Sequence, residues 1–248
     1  MTQEEMLEQL EAKLDIRYKA RLEKLEFELE RAKAYQEIMN LMGRYAFLHS
    51  GEEHVATLDC FAMNRDDTSV EIGPYGVYLG GEGVKRCYVN GETALDGDRL
   101  GHMCEHHIDT AVIEIAADGQ TAKGVFMSPG HGTNGKDMPE WMWGKYGVDF
   151  IKENGQWKIW HLHAHMSFRT PFDTPWTEIE PMDRRIAKGH FAGLPQESGA
   201  IPDLPTTYFE EYATDRIWRY WPKCPDPYET FEGTPSMVGA PEGYVYEG

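Results

Sequence analysis

The chain has 248 residues, enough for one large domain or for one domain with substantial arms, and its formal charge of −18 comes from 24 Lys and Arg against 42 Asp and Glu. That balance excludes nucleic acid and anionic membrane as partners, because both affinities rest on Lys and Arg neutralising negative charge. No apolar run approaches the roughly 20 residues that span a bilayer, and the N-terminus lacks the basic start and apolar middle of a signal peptide, so a cytoplasmic location is expected.

Residues 2 to about 50 read as one long helix, opened by Thr2 with Glu5 three positions on, a capping box. Leu7, Leu10 and Leu14, then Leu22, Leu25, Leu29 and Ala32, step mostly by three and four. The first half therefore presents a narrow apolar seam among charges, and must lean on its own body or on a sister subunit. From Tyr35 onward, Ile38, Met39, Leu41, Met42, Tyr45, Phe47 and Leu48 thicken the pattern into a core helix. Ser50-Gly51 breaks it. A short helix is expected over 53–62, a β-hairpin over 68–79 around Gly73-Pro74-Tyr75-Gly76, and another short helix over 81–89.

After a polar loop, four β segments are expected at 102–115, 121–129, 141–152 and 157–168. Asp118-Gly119 and Asn154-Gly155 supply turn chemistry for antiparallel pairing, and residues 130–140 read as a loop overhanging a pocket mouth. Beyond Trp176 the prolines recur, and only 182–188 reads as helix. Trp218, Tyr220, Trp221, Tyr228, Phe231 and Tyr244 are too costly to leave in water. This tail is expected to drape over the domain or a neighbour, giving three parts: a helical arm at 1–34, a domain at 35–176 and an extended arm at 177–248. A homo-oligomer through the two arms follows. Cys60, Cys87, Cys104 and Cys224 have no C-x-x-C spacing and are expected as free thiols.

Six of the ten histidines lie in two short runs. Alternation puts His161, His163 and His165 on one strand face, with Trp157 and Ile159 on that face pointing it inward unless a bulge reverses the parity. In the other run His106 and Glu114 would share a face, so a bulge is expected near Ala111. His161, His163 and His106 would suffice for an open zinc or iron site. No carboxylate-bearing metal motif accompanies them, and no metal is assigned. In the third segment Asp149 is a candidate pocket acid, and alternation lets only one of Lys145 and Tyr146 face inward.

Helix, helix, hairpin, helix and a long antiparallel sheet is the element order of an α+β cone, and the local wording agrees. Glu37-Ile38-Met39-Asn40-Leu41-Met42-Gly43-Arg44-Tyr45, His106-His107-Ile108-Asp109-Thr110-Ala111-Val112-Ile113-Glu114-Ile115 and Asn154-Gly155-Gln156-Trp157-Lys158-Ile159 resemble, in order, the first core helix, the His-led β run and the closing hairpin of the SnoaL-like branch of the nuclear transport factor 2-like superfamily. The resemblance covers about residues 35 to 176. It implies a curved sheet and helices enclosing an apolar pocket, and lyases, dehydratases, isomerases or cyclases that use no cofactor.

Scytalone dehydratase and the bile-acid dehydratase are similar in using a Tyr and a His that fall, by position, on Tyr45 and His106. Where the bile-acid enzyme has an Asp five residues after the Tyr, this chain has Ser50, with His49 beside it. The resemblance thus implies a lyase that eliminates water or formaldehyde from a hydrophobic aromatic or polycyclic alcohol. His106 would be the general base, Tyr45 the oxyanion or phenol partner, and His161 or His163 the second acid–base group. His49, Tyr75, Tyr78, Trp143, Tyr146 and Phe168 are the expected substrate-binding side chains. Isomerisation uses the same parts, and a metal enzyme or a non-catalytic binding or assembly protein remain the rival classes.

Overall fold

The computed structural model describes residues 2–92, 100–134, 138–187 and 200–244. Helix α1 runs over Gln3–Ser50, a length of about 72 Å at 1.5 Å per residue. Its capping box is formed: the Thr2 hydroxyl accepts from the Glu5 amide at 3.2 Å, and the Glu5 carboxylate accepts from the Thr2 amide at 2.7 Å. Only its last third is buried, through Ala34, Ile38, Met42, Tyr45 and Ala46, whose spacing keeps one stripe on the sheet. The preceding turns stand away from the body with Leu7, Leu10, Leu14, Leu22, Leu25 and Leu29 exposed.

Helix α2 (His54–Thr57) continues into a 3-10 turn at Leu58–Cys60. The hairpin β1 (Ser69–Ile72) and β2 (Gly76–Leu79) follows, then α3 (Gly80–Lys85), which widens into a π turn over Arg86–Glu92. The expected polar loop before the sheet falls mostly on 93–99, outside the described residues. The first long β segment is two strands, β3 (Met103–His106) and β4 (Asp109–Ile115). Register slips between Asp109 and Val112, and Thr110 has φ +49°, so the bulge expected near Ala111 is present.

The remaining strands are longer than their apolar patterns: β5 is Thr121–Asn134, β6 Met138–Glu153 and β7 Gln156–Pro171. The expected loop over 130–140 is therefore mostly strand, with His131 opposite Trp141 and Gly132 opposite Glu140. Its glycines and proline weaken β propensity, but antiparallel pairing on both sides of a twisted ribbon overrides it. Between β6 and β7, Asn154 (φ +50°) and Gly155 (φ +77°) form the turn that their sequence predicts. One curved, unclosed sheet results, in the order β2-β1-β7-β6-β5-β3, with β4 also on β5; β1 and β7 are parallel and the other pairs antiparallel.

Helix α4 (Met182–Ala187) matches the expected helix, whose last residue, Lys188, lies outside the described residues. Residues 200–244 form no helix or named strand; 200–204 run along the β2 edge, where the Val77 amide donates to the Leu204 carbonyl, and much of the rest lies on the outer sheet face. There Lys123 Nζ donates to Thr234 Oγ1 and the Pro235 carbonyl, and Lys145 Nζ to the Trp221 carbonyl. All four cysteines are free. Among the described residues no helix is long and apolar enough to cross a membrane.

Candidate active site

Register sorts the concave face of the sheet into rows. Near the β6–β7 turn the row is Ile115, Ala122, Phe150 and Ile159; then come Ile113, Gly124, Val148, Leu162, Val70 and Tyr78; then Phe126, Tyr146 and Ala164. At the far end His106, Gly130, Met142 and Arg169 share a row, followed by Cys104, Gly132, Glu140 and Pro171. The interior thus grades from an apolar floor to a titratable end.

Two bulges in β7 create this pattern. Asp149 pairs with His161 and Phe150 with Ile159, leaving Trp160 extra; Trp143 pairs with Phe168 and Gly144 with Met166, leaving Ser167 extra. Each bulge reverses the alternation. The first turns His161, His163 and His165 to the outer face. The second turns Arg169 inward and Phe168 outward.

Within the cone, α1 brings Tyr45 and His49 onto one face, four residues apart, with their rings stacked at 5.6 Å. His49 stacks in turn on His106, at 5.3 Å and 10° between planes. The Tyr45 hydroxyl is 2.9 Å from that of Tyr88, and the rings of Tyr88, Tyr146 and Phe61 meet Tyr45 edge-on. Ser50, next along the helix, accepts a hydrogen bond from the His106 amide at 3.0 Å, which ties the helix end to β3. Gly130 keeps the space beside His106 open, since a Cβ there would lie 3.2 Å from its Nδ1 and closer still to two carbonyls.

Burial governs the charges. It pushes His49 down to about 3, helped by His106 and His54 nearby, and pushes His106 down to about 4, helped by Arg169, His107 and His131. Both imidazoles are neutral at physiological pH. Burial also holds the Tyr45 phenol well above its ordinary value, so it stays a protonated donor. Arg169 forms a fork with Glu140, Nε donating to Oε2 at 2.6 Å and Nη2 to Oε1.

Of the expected site residues, the structure brings together Tyr45, His106, His49 and Tyr146. Tyr146 faces in and Lys145 out, as alternation required. Tyr78 also faces inward, but its hydroxyl donates to the Ala200 carbonyl at 2.8 Å. Tyr75, in the β1–β2 turn, is half-buried on the side of Arg169.

The others lie elsewhere. Trp143 stacks on Phe168, and Phe168 on Trp176, outside the cone. His161 donates Nδ1–H to buried Asp149 at 2.9 Å, and His163 lies 3.4 Å from buried Glu71, both beneath the C-terminal arm. His161 and His163 therefore do not meet His106, and the metal site that the three would have formed is not assembled. Asp149 is buried on the outer face and is not a pocket acid. Tyr88, Arg169, Glu140 and His54 were missed from the sequence. Tyr88 sits in a helix too short to show its buried face, and Arg169 lies just past the last apolar residue of its strand. A crevice of about 280 Å³ opens away from these rings, between α1 and the β4–β5 turn, beside Phe27, Arg31 and Lys152.

A family model described as the SnoaL-like domain matches residues 30–163, more than half of the chain. The chain belongs to the SnoaL-like family. The matched span holds Tyr45, His49, Tyr88, His106 and Tyr146, while Arg169 and the arm that covers the outer sheet lie beyond it. Among solved structures, this SnoaL-like chain is similar to a type 2 hexachlorocyclohexane dehydrochlorinase, LinA, at 18% identity over 62% of this chain and 98% of that one, with a TM-score of 0.51. It is similar also to a proposed scytalone dehydratase from Novosphingobium aromaticivorans DSM 12444, at 16% identity over 59% and 92% with a TM-score of 0.48, and to LinA-type3 from Novosphingobium barchaimii LL02, at 17% over 62% and 99% with a TM-score of 0.49. No curated protein matches the chain.

Proposed function

We propose that this SnoaL-like protein is a cofactor-independent lyase that eliminates water or formaldehyde from a hydrophobic aromatic or polycyclic alcohol. The observation that carries the reading is the ring column Tyr45–His49–His106 on the concave face, where neutral imidazoles and a protonated phenol lie side by side. His106 takes the substrate proton. In a dehydration the C–H electron pair becomes the new double bond, and the departing hydroxyl leaves as water with a proton returned by the imidazolium. In the deformylating variant the proton comes from a primary hydroxyl, the neighbouring C–C bond breaks to release formaldehyde, and the ring system holds the electron pair. The Tyr45 phenol donates to the developing oxyanion. His49 replaces His161 and His163 as the second acid–base group.

The name of one similar structure, a hexachlorocyclohexane dehydrochlorinase, is that of an eliminating enzyme and supports this reading. A second reading, a non-catalytic binding protein, is favoured by one observation: the phenols of Tyr45 and Tyr88 already satisfy each other in a packed interior. The exposed leucine seam of α1 and the aromatic C-terminal arm support a homo-oligomer, with a second copy covering the seam.

The test is a mass-spectrometric screen of aromatic and polycyclic alcohols for loss of water or formaldehyde. Conversion of one class, slowed roughly 100- to 10,000-fold by His106→Ala, is the expected outcome. Equal rates for wild type and His106→Ala would sink the base assignment. Binding without turnover across the screen would leave the non-catalytic reading standing.

A further inference from the structure

Outside the cone, on the opposite face of β3 from His106, three side chains converge that no step of the proposed elimination uses. Glu105 on β3 stands directly across from His131 on β5. His107, just past the end of β3, is held by its amide to the Pro129 carbonyl at 3.1 Å. Glu105 Oε2 lies 3.0 Å from His131 Nε2 and 3.6 Å from His107 Nε2, and all three ligand atoms fall within 4.8 Å of one another. Trp141, paired across from His131 on β6, sets its ring against the imidazole at 6.1 Å and steadies it.

We propose that Glu105, His107 and His131 form a binding site for a divalent transition-metal ion of the zinc class. Bonds of about 2.0–2.2 Å to imidazole nitrogen and carboxylate oxygen, arranged tetrahedrally, separate neighbouring ligand atoms by about 3.3 Å. The two Glu–His separations bracket that value, and the gap between the imidazoles closes by small side-chain rotations. Two imidazole nitrogens and one carboxylate suit a borderline cation and not Mg²⁺ or Ca²⁺, which prefer all-oxygen sets. The backbone of each ligand is fixed by strand pairing or a hydrogen bond, whereas Glu105 and His107 are about half exposed, so a cation can enter without opening the core. A chain of net charge −18 also draws cations to its surface.

Three protein ligands leave a position for water. The ion would clamp β3, which among the described residues pairs only with β5, to the body of the sheet. The sequence hid this site because His131 lay in an expected loop, separated from Glu105 by a bulge and a turn.

The experiment uses untagged full-length protein, stripped with chelator and dialysed against Zn²⁺, with bound metal measured by elemental analysis and affinity by calorimetry. One Zn²⁺ per chain is expected, and Co²⁺ in its place should show visible absorption of a low-symmetry site. His107→Ala, His131→Ala and Glu105→Gln should each weaken Zn²⁺ binding by more than about tenfold with unchanged circular dichroism. His102→Ala, which removes the imidazole paired with Glu52 at 3.1 Å, should bind as wild type. No stoichiometric Zn²⁺, or binding indifferent to all three substitutions or abolished by His102→Ala, would overturn the site.

Discussion

His49 and His106 lie face to face, ring centroids 5.3 Å apart and planes 10° from parallel, although one ends the long helix and the other ends an edge strand. Neither ring can carry charge cheaply there. The pair is therefore a neutral unit, with the rings of Tyr45 and Tyr88 against His49 and with Gly130 and the Arg169 charge on the side of His106.

Tyr45→Phe isolates one hydroxyl in this arrangement. It leaves the Tyr88 phenol without the partner it has at 2.9 Å, and is expected to cost about 1–2 kcal/mol in a urea titration. On any converted substrate kcat should fall more than about tenfold while KM changes little, because a donor to a developing oxyanion acts mainly in the transition state. A proportionate rise in KM with kcat intact would assign Tyr45 to binding alone.

Acid should unfold the protein early. His49, His163 and His165 are buried with pKa values lowered from 6.5, chiefly by desolvation, His49 to about 3. As pH falls through 6.5 the unfolded chain takes up these protons and the folded chain does not, so the stability that neutral burial preserves above 6.5 drains away below it. Each ring contributes up to about 1.4 kcal/mol per pH unit until its folded pKa is reached. Denaturant midpoints that fall steadily from pH 6.5 to 4.5 are expected, with a smaller slope in His165→Phe; a flat profile would contradict neutral burial.

Asp149 holds the C-terminal arm. Its carboxylate accepts from His161 Nδ1, from Ser236 Oγ and from the Met237 amide, with no exposure of its own. Asp149→Ala strips all three donors of their acceptor and should cost about 3 kcal/mol. Gly147→Ala tests the same docking by sterics, since a Cβ would fall 2.2 Å from the Met237 carbonyl. Both variants should expose residues 200–244 to limited proteolysis while 121–171 stays protected; equal resistance to wild type would show that the arm is held elsewhere.

Arg169 and Glu140 should behave as a coupled pair. Arg169→Met leaves a largely buried carboxylate without its fork and is expected to destabilise by about 3 kcal/mol, part of which the added Glu140→Gln restores. Additive losses in the double-mutant cycle would show that the fork contributes nothing beyond solvation.

If the leucine seam of α1 is covered by a second copy, removing residues 2–30 should lower the mass seen by light scattering to that of one chain and leave the fold's circular dichroism in place apart from the lost helix. An unchanged oligomer would move the interface to another surface.

Much of this architecture was legible before any coordinates. Thr2 and Glu5 announce the helix start, Ser50-Gly51 its end, and Asn154-Gly155 the β6–β7 turn, because caps and tight turns are local chemistry that few residues satisfy. The resemblance pointed to Tyr45 and to the helix end that carries His49, whereas alternation left Lys145 and Tyr146 as alternatives that strand pairing resolved in favour of Tyr146. The strand ends were not legible: Gly130, Gly132 and Pro139 read as loop, yet pairing holds them in the ladder.

By itself the sequence determined the element order and, through its resemblance, the family, and helical spacing marked the part of α1 that reaches the core, although Phe47, expected there, is 83% exposed. Tertiary structure decided which histidines matter. The opposing strand sets where an extra residue is accommodated, and the bulges at Trp160 and Ser167 turn three aligned histidines away from the cone and Arg169 into it. No reading of β7 alone contains that information, because parity along a strand is set jointly with the strand it pairs with.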